Sequence, residues 1–336
     1  MKKGINALSY FDGMSCGQIA LERTGIKVNK YFASEIDKRA ISVTQKNYPD
    51  TIQLGDVTKI NFDALPKIDL LIGGFPCQSF SFSGKMLNFD DARGQLFFDL
   101  VKALKTLKPK YFLFENVKMK KEYVETISSY VGVKPIEINS SLVSAQNRKR
   151  LYWTNIPFLN QPEDKKILIK DILLDELEEK YQGSHINHYL KNKGLILKPE
   201  YRFLNSSQSE KEIIEQYTNY SNEYSKPQKI GDLAFKGQGN RVHSIYGKNV
   251  TISASGGGQG GHTGLILDSN LMVRKTSPVE CERLQAVPDD YTKIGVVLNK
   301  LGIYEELELP KTVRYKMIGN GFTVDVISHI LKNMNL

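Results

Sequence analysis

Cysteine is scarce in this chain: Cys16, Cys77 and Cys281 are the three present, far apart and without a CxxC pair. That pattern argues against a disulfide framework and a thiolate zinc site, and it suits a reducing compartment. Nowhere do apolar residues run to the roughly 20 that a membrane-spanning helix needs. The opening MKKGINALSYFDG breaks its apolar run too early for a secretory signal. A cytoplasmic protein with no membrane partner is therefore expected. Internal repeats and long low-complexity tracts are also missing, and the turn after the first apolar run is not the GxGxxG of a dinucleotide site. His185 and His188 form an HxxH without acidic or thiol neighbours, so no metal site is expected.

What is present fits a globular protein of one large domain or two. The 336 residues are 40% hydrophobic and 25% charged. Lys and Arg outnumber Asp and Glu by 46 to 37, a net charge of +9. Phosphate contacts supply much of nucleic-acid affinity, so this excess suits a polyanionic partner. Many proteins this basic bind no nucleic acid, and the charge decides nothing alone.

Short apolar runs at Ile5–Tyr10, 31–34, 51–54, 68–72 and 111–114 read as buried strands. Helical patterns at 17–23, Lys38–Asn47 and 94–107 lie between them. Alternation of this kind predicts an α/β fold with a parallel, doubly wound sheet. In such sheets ligands bind beyond the carboxyl ends of the strands, so the residues just after each strand carry most interest. From about residue 158 charged runs, a Tyr/Asn/Ser-rich stretch and the glycine-dense 256–264 replace the regular pattern. A second, smaller, irregular module is expected there. Ordered patterning returns near Met272, and 323–331 reads as a closing helix.

The first strand runs into Phe11-Asp12-Gly13-Met14-Ser15-Cys16-Gly17, a turn whose glycines permit close backbone approach to a ligand. Glu35 ends the second strand, where a carboxylate can accept from ribose hydroxyls. Asp56, in QLGDV, can accept from an adenine amino group. The fourth strand leads into GGFPCQSFS and the fifth ends in Glu115-Asn116-Val117. Further on, QNRKRLYW places Arg148 and Arg150 two apart, so both can point one way on a strand. A thiol, a carboxyl and two guanidiniums on one edge can make a nucleophilic site, because nearby cations lower a thiol's pKa.

With FDGMSCG, GDV, GGFPCQSFS, FENV, QNRKRLYW, RKTSPVECERLQAVPDDY and the terminal GNG in this order, the chain resembles the C5-cytosine DNA methyltransferases of bacteria and phages. The resemblance implies a Rossmann-like class I methyltransferase sheet at 1–158 and 271–336, with a target-recognition domain at 159–270. It implies S-adenosylmethionine as cofactor, lined by Phe11, Asp12, Gly13, Gly17, Glu35, Ile36, Asp56, Val57, Gly74, Pro76, Leu96 and Asn320. Cys77 is then the nucleophile, Glu115 the group on the cytosine N3/N4 edge, Arg150 a contact to O2, and Arg148 a support for the nucleophile and phosphates. Gln78, Ser81 and Ser83 fall on the loop closing over DNA. Arg274, Glu280 and Arg283 organise the joint between domains. Three positions depart from the common pattern: Ser15 replaces a glycine, Ile36 an aromatic residue, and GNGF the usual GNSV.

Within the second module, Lys236, Gln238, Asn240, Arg241, Gln259 and His262 lie in glycine-rich segments. Arg241 and Gln259 are the expected readers of bases, since Arg suits guanine and Gln suits adenine in the major groove. Double-stranded DNA is the expected partner and a monomer the expected state. A tRNA substrate, as taken by one relative of the family, and a non-catalytic DNA-binding regulator are the competing readings. The intact Cys77, Glu115 and Arg150 set speaks against the second.

Overall fold

The computed structural model describes residues 4–75, 92–157, 160–177, 184–185, 195–197, 224–233, 238–255, 260–270, 272–299 and 301–336. Strands β1 (Ile5–Tyr10), β2 (Val28–Ser34), β3 (Ile52–Gln53), β4 (Leu70–Gly73), β5 (Tyr111–Val117), β6 (Ile136–Asn139) and β7 (Lys149–Thr154) form one sheet, in the order β3-β2-β1-β4-β5-β7-β6. Helices α1 (Cys16–Arg23), α2 (Lys38–Asn47), α3 (Ala92–Leu107) and α4 (Lys121–Val131) connect the strands. Successive side chains on a strand point to opposite faces. Ala7, Leu70, Ile72 and Leu113 accordingly join a core with α1, while Leu8, Leu71, Phe112 and Phe114 join another with α3 and α4. Helices cover both faces, which is why these strands read as nearly unbroken apolar runs.

The expected parallel sheet holds through β5 and then reverses. Strand β7 lies antiparallel between β5 and β6. A parallel return needs a crossover of about a dozen residues or more, usually a helix. Residues 140–148 between β6 and β7 hold only a single 3-10 turn, so the chain must fold straight back.

The second module is less irregular than its sequence reads. Strands β8 (Ser184–His185), β9 (Leu195–Leu197), β10 (Lys229–Leu233), β11 (Arg241–Ser244), β12 (Leu265–Leu267) and β13 (Met272–Lys275) form a mixed sheet in the order β8-β13-β12-β11-β10-β9. Each strand is 2 to 5 residues long, too short to print an alternation. Because β13 pairs with β12 and β8, this sheet continues past the boundary expected at residue 270. The chain then returns through α5 (Pro278–Leu284), a hairpin of β14 (Ile294–Leu298) and β15 (Tyr304–Glu308), α6 (Lys311–Asn320) and α7 (Val324–Leu331). Among the described residues no helix is long and apolar enough to cross a membrane.

Buried polar groups pin the second sheet to the first domain. Glu280 opens α5 in a capping box with Ser277 and takes both Arg274 guanidinium nitrogens, at 2.9 and 3.0 Å. Its carboxylate also accepts from Leu174 N, so β13, α5 and the 168–174 segment meet on one side chain. Arg283 donates to Ile172 O and Leu173 O and pairs with Asp289. Lys248, also buried, donates to Ser144 O and Ile167 O.

His243 sits inside the second sheet with Nδ1 at 3.3 Å from Leu265 O, and burial pulls its pKa from 6.5 down to about 4. As pH falls below 6.5, the unfolded chain takes up a proton that the folded chain refuses until about pH 4. Stability contributed by neutral His243 is therefore present above the unfolded pKa and lost on acidification, by roughly 2 kcal/mol between pH 7 and 5. Urea midpoints at the two pH values should show this loss. His243→Gln should shrink it, and an unchanged pH dependence in that variant would contradict a neutral buried imidazole.

Candidate active site

The carboxyl ends of β1, β2, β3 and β4 lie side by side in the sheet, with the crevice between β1 and β4 where the strand order turns back. At the end of β1, Phe11, Gly13 and Ser15 all adopt left-handed backbone, with φ of 55°, 59° and 61°. Gly13 N donates to Glu35 Oε2 at 2.8 Å, and Glu35 Oε1 accepts from Ile36 N and Asp37 N at 2.7 and 2.8 Å. Three backbone donors thus fix the carboxylate that ends β2. A Cβ built on Gly13 meets nothing within 4 Å, so the turn opens onto free space. Asp56 caps a 3-10 turn, and hydrogen bonds from Thr58 hold its carboxyl below the usual range.

Not every residue expected around a cofactor faces this opening. The Asp12 carboxylate is buried, accepting from Tyr31 Oη at 2.8 Å and from Ser15 Oγ; burial raises its pKa to about 6. It braces the turn from beneath. Gly17 serves the same brace, because a Cβ there would lie 2.7 Å from Tyr31 Oη. Val57 is buried in the α3-side core, and Leu96 and Phe11 pack at its margin. Ile36 is 74% exposed, an apolar side chain left in solvent beside the opening. Asn320 is exposed at the end of α6.

The reactive edge lies next to this opening. In the β5–β7 register Glu115 faces Tyr152 and Val117 faces Arg150, so Glu115 and Arg150 are diagonal neighbours on one face. Arg150 Nε is 2.9 Å from Glu115 Oε1, with the two side chains 13% and 12% exposed. The N–H is not aimed along that line, so the contact is an ion pair rather than a hydrogen bond. Gly74, after β4, faces the same carboxylate: a Cβ there would lie 3.6 Å from Glu115 Oε2 and 2.8 Å from the Phe322 ring. Asn116 donates to Phe75 O and so ties the end of β5 to the segment that leads to Cys77. Pro76, Cys77, Gln78, Ser81, Ser83 and Gln259 lie outside the described residues, as do Lys236 and His188.

Arg148 corrects an expectation. It is 3% exposed, and its guanidinium donates to Ile252 O, Gly319 O and Gly321 O at 3.1, 3.2 and 3.1 Å. Those donors turn into the protein, where no phosphate reaches them. The alternation that aims Arg150 at Glu115 stops at Lys149, where β7 begins, and Arg148 enters the joint instead. In the second module Arg241 is exposed at the start of β11 while Asn240 beside it is buried. His262 Nδ1 donates to Ser253 O at 2.9 Å, and the ring stacks on Tyr315 with centroids 6.1 Å apart.

Two buried amides escaped the reading from sequence. Gln146 Oε1 accepts from Ile252 N and its Nε2 donates to Leu284 O, while Gln285 Nε2 donates to Ile318 O and Gly321 O. The first glutamine opens the QNRKR segment and the second lies within RKTSPVECERLQAVPDDY, but neither motif indicates which distant carbonyls they hold.

The family described as C-5 cytosine-specific DNA methylase matches residues 5–131 and 133–335. Type II methyltransferase M.HhaI of Haemophilus parahaemolyticus is 29% identical over 355 aligned residues, spanning 98% of this chain and 94% of that protein. The orphan methyltransferase M.SPRI of Bacillus phage SPR is 32% identical over 283 residues, spanning 75% of this chain and 64% of that one. The solved structure of the Entamoeba histolytica methyltransferase EhMeth superposes with a TM-score of 0.67 at 16% identity, covering 99% of this chain and 98% of its own. That last likeness speaks for the fold alone. With the family match running from β1 to the last residues, and Glu115 and Arg150 paired at the carboxyl edge of the matched sheet, the chain belongs to the C-5 cytosine-specific DNA methylases.

Proposed function

We propose that this enzyme methylates carbon 5 of a cytosine flipped out of double-stranded DNA, working as a monomer with S-adenosylmethionine as donor and Cys77 as nucleophile. The observation that carries the reading is the Glu115–Arg150 pair beside Gly74, three residues before Cys77. The open turn at Gly13, the backbone-held Glu35, the exposed Ile36 and Asp56 fit an adenosine group. Glu35 keeps free lone pairs for ribose hydroxyls, and Asp56 can accept from the adenine amino group. S-adenosylmethionine held there supplies a methyl on a sulfonium, the electrophile that carbon 5 requires.

The protein's own groups do the rest. Carbon 5 is a poor nucleophile until a thiolate adds to carbon 6, and neither atom is reachable in a stacked duplex. Arg150 on O2 and Glu115 on the N3/N4 edge orient the flipped base. As Cys77 adds, Glu115 shares a proton with N3 and so stabilises charge building on the ring. After methylation a base removes the carbon 5 proton, the bond to Cys77 breaks, and the ring regains aromaticity. The matches to type II and phage enzymes support a role in restriction–modification or in protection of phage DNA.

Tritiated S-adenosylmethionine, a mixed-sequence duplex and purified protein test the reading, with tRNA and Cys77→Ser protein in parallel. Label should appear at cytosine carbon 5 of the DNA and fall below detection in the variant. Label on tRNA alone, or undiminished label with Cys77→Ser, would overturn it.

A further inference from the structure

We propose that Arg148 is a positioning residue which couples the 251–254 loop of the second module to the cofactor opening, so that cofactor binding and the seating of that loop reinforce each other. The proposal rests on the reading of the 11–17 turn as the cofactor turn. Its basis is the short segment 319–322, which ends α6 and starts the return to α7. One buried guanidinium holds this segment from both sides of Asn320, through Gly319 O and Gly321 O, and holds Ile252 O of the second module with its remaining bonded nitrogen. Burial lowers the Arg148 pKa only to about 10, so the side chain stays cationic at neutral pH and all three bonds are charge-assisted.

Packing makes the same connection independently. A Cβ on Gly319 would come within 2.6 Å of Ser253 O and Ala254 N, so the two backbones are in direct contact. A Cβ on Gly321 would lie 2.9 Å from Met14 Cε and 3.1 Å from Cys16 Sγ, both in the cofactor turn. The Phe322 ring covers Gly74, where the segment toward Cys77 departs. Three segments and one side chain therefore touch residues 319–322: the 251–254 loop, the cofactor turn, the approach to the nucleophile and Arg148. Amide side chains close the assembly, since Gln285 holds Ile318 O and Gly321 O while Gln146 holds Ile252 N and donates to Gln285 Oε1. Arg148 Nε is left without a partner, but the two terminal guanidinium nitrogens and both amides are bonded, and a buried network tied at so many points resists small displacements. Movement of the 251–254 loop must then shift residues 319–321, and ordering of those residues around a cofactor must order the loop. Such coupling is reciprocal, because each event biases the same arrangement.

Amide hydrogen exchange on the full chain, with and without S-adenosylhomocysteine, tests this without turnover. In the parent protein the ligand should slow exchange about tenfold both in peptides covering 11–17 and 35–37 and in those covering 251–254. In Arg148→Met the ligand should still protect 11–17 and 35–37, while the added protection at 251–254 disappears. Arg148→Lys, whose ammonium reaches fewer of the three carbonyls, should restore part of it. Gly319→Ala provides a second route, since its methyl separates the loops and leaves Arg148 in place; it too should uncouple them. Unchanged exchange in peptides of β1 and β4 marks each variant as folded. Full ligand-induced protection at 251–254 in Arg148→Met and Gly319→Ala would overturn the proposal, and so would protection in the parent confined to 11–17 and 35–37. Absence of any ligand effect on the parent would remove the functional reading itself, and the coupling with it.

Discussion

Glu115→Gln is expected to slow methyl transfer in a single turnover by about 100- to 1,000-fold, the usual effect of removing one group that meets developing charge or shares a proton in a transition state. The amide keeps the size of the side chain and can still meet the cytosine edge, so duplex binding should change far less than the rate. It cannot hold a proton between itself and N3, and it leaves Arg150 without the carboxylate now 2.9 Å away. The measurement is a rapid-quench time course with saturating S-adenosylmethionine and a duplex carrying the enzyme's mapped target site. A rate within a factor of a few of the parent would remove Glu115 from the chemistry. A matched loss of binding and rate would instead make it an orienting group only.

The largest expected change in stability follows from Glu280→Ala. This carboxylate is fully buried and gathers Arg274, Ser277 N and Leu174 N. Removing it strands a guanidinium that is 3% exposed, leaving Asp268 as its remaining acidic partner, and it breaks the capping box of α5. Breaking a buried pair from one side costs about 3–5 kcal/mol, because the surviving charge stays desolvated. A lower urea midpoint should report the loss. The double variant Arg274→Met/Glu280→Leu should lose at least about 1 kcal/mol less than the sum of the two single changes, since no guanidinium is then left uncompensated. Additive losses would show that the two side chains act separately. Activity at temperatures well below unfolding should change little, as neither residue meets the site.

Much of the first domain could be read directly. β1 and α2 occur at the residues their patterns indicate, because each is a regular run whose neighbours in sequence are also its packing partners. Glu35, Asp56, Gly74 and Glu115 could be assigned to one edge for a related reason. In a parallel sheet every strand points the same way, so residues that follow strands must share an edge whatever the strand order. The reversal at β7 and the six short strands of the second sheet were not legible. Two- to five-residue strands carry no period, and their hydrogen bonds join residues far apart along the chain.

The sequence by itself determined which groups are offered for chemistry: a thiol after the fourth strand, a carboxylate near the end of β5, a guanidinium on β7 and an acid at the end of β2. Side chains that finish a strand have few orientations open to them, so spacing fixes their use. Only the tertiary structure decided the duties of Arg148, Asp12 and Gly17, which look like site residues in the chain and act as braces in the fold. Their roles depend on which carbonyls and hydroxyls arrive from distant segments, Gly319 and Gly321 in one case and Tyr31 in the other two. A buried donor or acceptor must find a partner, and that partner is chosen by packing and not by position along the chain.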